Sequence, residues 1–328
     1  MPMTSKERLL AAIRNQPVDH VPMIIKFWAR PAHAKANWKT DRERLAFFAK
    51  RGWDTDVEMW CGIAPAPEVR VEVHHEKDAT GPILRQVWHT PAGTLHERLR
   101  VTDDWPEALG ATPEKPVGLL CDFRTARYLE APFKTMRDLD TLPYVLPLMT
   151  PKDRDGLAAN YRAARALADE FAVALFLDVR PGLDWLVWLF PAEAAVLCAV
   201  DTPEMAGRIL DHVAKVHRER VDQLLALGMD GIIRSGWYES TDIWSPGLYR
   251  DMAVPKLAGE IEAVKAAGKV VVYLMDSGVM PLLPDLDALK FDCLAGVDPL
   301  TAGGTNLAEV RRRLPGKAIW GGISGPLE

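Results

Sequence analysis

The reactive side chains of this chain gather where short apolar runs end. VPMIIKFW supplies Lys26 and Trp28, with Arg30 just beyond. TDVEMW supplies Asp56, Glu58 and Trp60, and AVALFLDV supplies Asp178, followed by Arg180 and Asp184. GIIRS and the residues after it supply Arg234, Trp237, Tyr238 and Glu239; VVVYLMD supplies Tyr273 and Asp276; FDCLAG is followed by Asp298. AIWGG ends in Gly321 and Gly322, whose missing side chains would let a ligand reach the backbone. Carboxylates move protons, guanidinium groups hold anions, and flat rings wall a pocket for an organic ligand. Each acid also has an ordinary alternative, as a helix cap or as the partner of a nearby arginine. Asp178 and Arg180, two residues apart, could simply pair. As a set, the residues predict an active site with Glu58, Glu239, Asp276 and Asp56 as catalytic candidates. Lys26, Trp28, Arg30, Trp60, Asp178, Arg180, Arg234, Trp237, Tyr238, Tyr273, Gly321 and Gly322 would bind substrate.

The runs that carry these residues are short and rich in β-branched side chains, and helices separate them. Ser5–Asn15 is a predicted helix, with Leu9, Leu10 and Ile13 on one face and Pro17 after its end. Helices are also predicted at Asp41–Lys50, Asp153–Glu170, Leu183–Val200, Pro203–Leu227, Pro246–Ala267, Val279–Leu289 and Leu307–Leu314. Strand alternating with helix predicts a parallel α/β sheet, in which ligands sit at the carboxyl ends of the strands. Seven such strands can be counted from Val21, whereas a closed barrel needs eight. Between Glu68 and Val101 the pattern changes to period two around the TPAG turn, which predicts an inserted antiparallel meander. Residues 103–152 are proline-rich and read as a long connection with short helices.

Other chemistries lack their signatures. Neither G-x-x-x-x-G-K-[ST] nor G-x-G-x-x-G occurs, and Ser240 and Thr241 have no adjacent histidine. His74 and His75 would point to opposite faces of a strand. His212 and His217, five apart on a helix, are expected on its solvated surface. No metal site is expected, since no spacing brings together three or four Cys or His ligands. Cys61, Cys121, Cys198 and Cys293 lie far apart in sequence, which predicts reduced thiols in a cytoplasmic protein. The 328 residues carry a formal net charge of -5 with no block of like charge, and 48% are hydrophobic without a membrane-length run. A nucleic-acid or membrane partner is therefore not expected.

Beyond these patterns, SKERLLAAIRNQPVDHVPM, TPAGTL, WSPGLYRDMAVPKL, DCLAGVDP and WGGISGPL together resemble the uroporphyrinogen decarboxylase superfamily, in order along essentially the whole chain. The resemblance implies one domain over residues 1–328, a (β/α)8 TIM barrel with the meander inserted at about 68–105. It also implies that the last strand and helices would follow Glu328. Two chemistries occur in that superfamily. The decarboxylases use no cofactor and hold their eight carboxylates with an Arg-rich loop, where this chain has KFWARPAHAKAN and retains Arg30; Asp56 or Glu58 would stand for their catalytic Asp. The methyltransferases exchange methyl groups with corrinoid proteins. Their zinc-dependent members carry His-x-Cys-Gly where this chain reads Met275-Asp276-Ser277-Gly278, so zinc is not expected.

The resemblance thus points to demethylation of a small substrate, such as an aromatic methyl ether, with the methyl passing to a corrinoid partner and no tightly bound cofactor. Trp28, Trp60, Trp237 and Tyr238 would flank the flat donor, and Glu58, Glu239 or Asp276 would protonate the leaving oxygen. The alternatives are decarboxylation of uroporphyrinogen and a non-catalytic barrel that binds a tetrapyrrole or corrinoid. Members of the family often form homodimers.

Overall fold

The computed structural model describes residues 2–24, 38–119, 124–300 and 304–322. Lys26, Trp28, Arg30 and Cys121 lie outside the described residues, as does most of the strand expected at Val21–Trp28. Two sheets organise the chain. The larger is parallel and has six strands in chain order: β1 (Asp56–Trp60), β6 (Ala174–Val179), β7 (Gly231–Ser235), β8 (Val270–Leu274), β9 (Cys293–Val297) and β10 (Ala318–Gly321). The smaller is antiparallel: β2 (Arg70–Asp78), β3 (Gly81–Thr90), β4 (Gly93–Arg100) and β5 (Tyr128–Glu130). The parallel strands run close to where the sequence places them. The described residues show a six-stranded parallel sheet, and no closed barrel appears among them. The meander gains a strand, β5, which pairs with β4 from within the segment read as a connection.

Alternation along the strands gives the parallel sheet two unlike faces. Val57, Met59, Leu175, Leu177, Ile232, Val271, Tyr273 and Leu294 join the main core beneath the crossover helices, and we call this the outer face. Ala174, Phe176, Ile233, Val270, Val272, Leu274, Cys293 and Ala295 point the other way and meet Leu9 and Ile13 of the helix Ser5–Ile13. This is the inner face, and the N-terminal helix covers its lower part. The Thr4 hydroxyl accepts a hydrogen bond from the Glu7 N–H while Glu7 accepts one from the Thr4 N–H, a reciprocal cap that starts that helix. Arg8 then fastens it, donating to Asp54 at 2.6 Å and to Asp19 at 2.5 Å.

Prolines break two helices that periodicity joins. Pro191 separates Asp184–Leu189 from Ala192–Asp201. The segment at 246–267 is a short turn, a wider π turn over Tyr249–Ala253, and then the helix Val254–Ala266 with Pro255 in its first turn. The helix Pro203–Leu227 runs unbroken to Gly228, whose left-handed backbone closes it.

Candidate active site

The strand ends divide by face. On the inner face, β6 ends in Asp178, whose Oδ2 accepts from the Ser235 hydroxyl of β7 at 3.1 Å and whose Oδ1 accepts from Arg180 Nε at 3.3 Å. The expected Asp178–Arg180 pair therefore forms, but Arg180 does more. Its guanidinium carbon lies 4.3 Å from the Trp60 ring centroid and 4.2 Å from that of Trp237. Two indoles thus enclose one planar cation, an arrangement favoured by the negative faces of the rings. The space between Trp60 and Trp237, expected to take a flat substrate, is filled by Arg180. Trp60 remains 51% exposed, so its outer side is open.

Asp276 follows β8 and continues the inward alternation of Val272 and Leu274. Its carboxyl reaches solvent, yet protein surrounds it, and Gly296 packs so closely that a Cβ there would lie 2.6 Å from its Oδ1. That enclosure, with the charge of Asp298 nearby, pushes the Asp276 carboxyl up to about 6 from 3.8. Beside it, Ser277 donates to Asp242, which also accepts from Ser240 Oγ at 3.3 Å. Glu58 is half-buried in mid-strand, level with Phe176. Asp56 opens β1 at its amino end, level with Ala174 and only 2% exposed. It is therefore set below the carboxyl edge where the sequence reading placed it.

The outer face holds a different set. Arg234 is buried and makes a forked contact with Glu239, Nη1 to Oε2 at 2.6 Å and Nη2 to Oε1 at 2.8 Å. Glu239 also accepts from the Tyr273 hydroxyl at 2.6 Å and from the Leu183 N–H at 2.8 Å. Four donors saturate the carboxylate, and no part of it is exposed. Gly182 and Gly236 are required here, because a Cβ at either would collide with Glu239. Burial raises the Tyr273 hydroxyl well above the ordinary phenol range, and the Glu239 charge adds to this. Glu260, on the helix behind, lies 3.7 Å from Arg234 Nε; burial pushes its carboxyl up to about 7. Asp184 accepts the N–H groups of Trp237 at 3.1 Å and Tyr238 at 2.9 Å, holding the turn after β7. Tyr238 accepts from Trp244 Nε1 and packs on the outer core.

Arg234, Glu239, Tyr273 and Tyr238 thus form a brace behind the edge, separate from the face that Asp178, Arg180 and Asp276 share. Gly321 and Gly322 also serve the fold. β10 bulges at Trp320/Gly321, both glycines have positive φ, and a Cβ on Gly321 would lie 2.8 Å from Val297 O. The room beside Gly321 is taken by the neighbouring strand, and that beside Gly322 by the Leu307 side chain.

Sequence reasoning missed Ser235, Ser277 and Asp242, whose small polar side chains carry no motif. It also misplaced two histidines. His217 is 6% exposed, edge-on to Trp185 with ring centroids 5.9 Å apart, and His212 Nε2 bonds Leu146 O at 2.8 Å. Both lie in the buried side of their helix instead of on its solvated surface. Among the described residues, no group of three or more His, Cys, Asp or Glu could hold a metal ion. No described helix is long and apolar enough to cross a membrane.

This geometry defines an α/β fold with a polar, aromatic-walled carboxyl edge on one face of its parallel sheet. The chain superposes on a methyltransferase from Methanosarcina mazei with a TM-score of 0.57 at 15% identity, covering 99% of this chain and 85% of that one. That likeness is one of fold. A 3-keto-D-glucoside 4-epimerase from E. coli aligns over 53% of this chain and 81% of its own at 13% identity, but its TM-score of 0.22 is too low to carry an argument. No family model and no curated protein matches the sequence.

Proposed function

We propose that this chain is a methyl-transfer enzyme built as a uroporphyrinogen decarboxylase-like (β/α)8 barrel. In this reading it removes the methyl group of a small methylated donor, an aromatic methyl ether, and passes it to a corrinoid carried by a partner protein. The observation that carries the reading is Asp276: an exposed residue whose carboxyl is pushed up to about 6, on the same sheet face as an arginine clasped by two indoles. The shared fold with a methyltransferase supports it.

The chemistry follows from those groups. Breaking an aryl O–CH3 bond leaves a phenolate, which departs more easily when a proton arrives with it. Asp276 in its protonated form gives that proton to the ether oxygen, and the phenol leaves. Asp178, held by Ser235, fixes Arg180, and Arg180 holds the two indoles apart against which a ring can rest. The corrinoid, when its partner docks, supplies the acceptor for the methyl group. The exposed side of Trp60 leaves the edge open for that approach. Zinc does not fit, because the position of the family's His-x-Cys-Gly holds Met275, Asp276, Ser277 and Gly278. Decarboxylation of an octa-anion would need several guanidinium groups at the mouth, whereas Arg234 faces the outer side and is neutralised by Glu239.

The test is single-turnover demethylation of a panel of methoxylated aromatics in the presence of a Co(I) corrinoid, followed by chromatography of the phenol. Product formation that is lost in Asp276→Asn supports the reading. A folded protein that is inert across the panel overturns it.

A further inference from the structure

Behind the Trp60–Arg180 stack lies a second basic cluster that the mechanism does not use. Arg220, on the helix Pro203–Leu227, is 6% exposed, and its one hydrogen bond runs from Nη1 to Val216 O of the same helix at 2.7 Å. Among the described residues no carboxylate bonds it. Glu219, the acid next in sequence, is committed to Arg154 and to the Met149 N–H. One turn earlier on the same side stands His217, with Nε2 buried and without a partner among the described residues.

A chain of contacts links this pair to the active-site edge. His217 stands edge-on to Trp185, Trp185 lies 5.9 Å from Trp188, and Arg180 lies 5.9 Å from Trp188. Burial pushes the thiol of Cys61, the residue after Trp60, up to about 11, and the Arg220 charge acts in the opposite direction. The cations Arg220, Arg234 and Arg180 add to burial in holding His217 neutral, at about 3. A buried guanidinium that no carboxylate bonds, with only the more distant charges of Glu219 and Asp153 to offset it, is costly to the fold, so a site that keeps one is fitted to a ligand that brings a bonded charge. Arginine suits a carboxylate, and neighbouring indoles suit the ring attached to it.

We propose that Arg220 and His217, with Trp185 edge-on to the imidazole, form a subsite for the carboxylate of a small aromatic acid. Assigning that acid to the methyl donor rests on the methyl-transfer reading; the binding itself does not. Calorimetric titration of the full chain with 4-methoxybenzoate and with anisole, without any corrinoid, tests the subsite directly. The acid should bind at least about tenfold more tightly than the neutral ether, as expected for one charge-assisted pair.

Arg220→Met should abolish that preference while the melting temperature holds or rises, because a buried charge that no carboxylate bonds is removed. Arg220→Lys should keep part of the preference, and His217→Phe should weaken it with the cation left in place. Equal binding of acid and ether overturns the proposal. So does an Arg220→Met protein that melts lower with its preference intact, since that marks a structural arginine. Binding without methyl transfer would retain the subsite and discard the reaction.

Discussion

The two faces of the parallel sheet use the same residue types to opposite ends. On the outer face, Arg234 and Glu239 are sealed and the carboxylate is fully engaged, with Tyr273 and Leu183 supplying the remaining donors. On the inner face, Arg180 and Asp276 keep open sides, whereas Asp178 is buried against Ser235 and Arg180. A saturated carboxylate cannot exchange a proton cheaply, whereas one with an open side and a raised pKa can. Reactivity in this fold therefore follows residue parity along the strand. Proximity to the strand end is insufficient.

The comparison is broken most severely at Glu239. Glu239→Leu strands a buried guanidinium and should cost about 3–5 kcal/mol of stability, read from urea denaturation. A smaller loss would mean that Glu260 can take over. Asp276→Asn should lower demethylation by about 10²-fold or more with the urea midpoint unchanged or higher. The pH dependence has a definite sign. With the folded pKa raised to about 6 from 3.8, the native chain holds a proton that the unfolded chain has released. Stability therefore falls as pH rises through that window, and Asp276→Asn should flatten the slope. Activity that needs the protonated acid should fall as pH rises past about 6.

Tyr273→Phe removes one donor from the sealed side and should cost about 1 kcal/mol, with kcat unchanged. Trp60→Leu should cost least, about 0.5–1 kcal/mol, because its contact with Arg180 is made at the surface. Its signature should be weaker ligand binding, measured by calorimetry.

Much of the fold is written in the local pattern. Runs such as VVVYL and GIIRS mark parallel strands through their β-branched, buried composition, and the observed ends fall within a few residues of those expected. That same uniform burial hides parity. When both faces are covered, apolar residues no longer alternate with polar ones, so Arg234 and Asp178 read alike as strand-end charges. β5 was illegible because three residues, Tyr128–Glu130, gain their strand character only from β4, distant in sequence.

His217 is a different case. Ile209, Leu210, Val213, Val216, Val221 and Leu224 trace a broad apolar stripe along the helix, and His217 and Arg220 stand within it. The signal was present in the 3.6-residue period, but a pairwise test for metal spacing does not detect it.

The helix Ser5–Ile13 carries one more consequence. It precedes every strand of the parallel sheet, yet the face that it covers is assembled from strands as late as β8 and β9. During synthesis its apolar side must wait, unburied, until most of the chain has emerged. Contacts of such long sequence separation slow folding and prolong exposure of sticky surface. The cap at Thr4 and the ion pairs of Arg8 with the nearby Asp19 and Asp54 can form early, and they give that waiting segment a structure of its own before its destination exists.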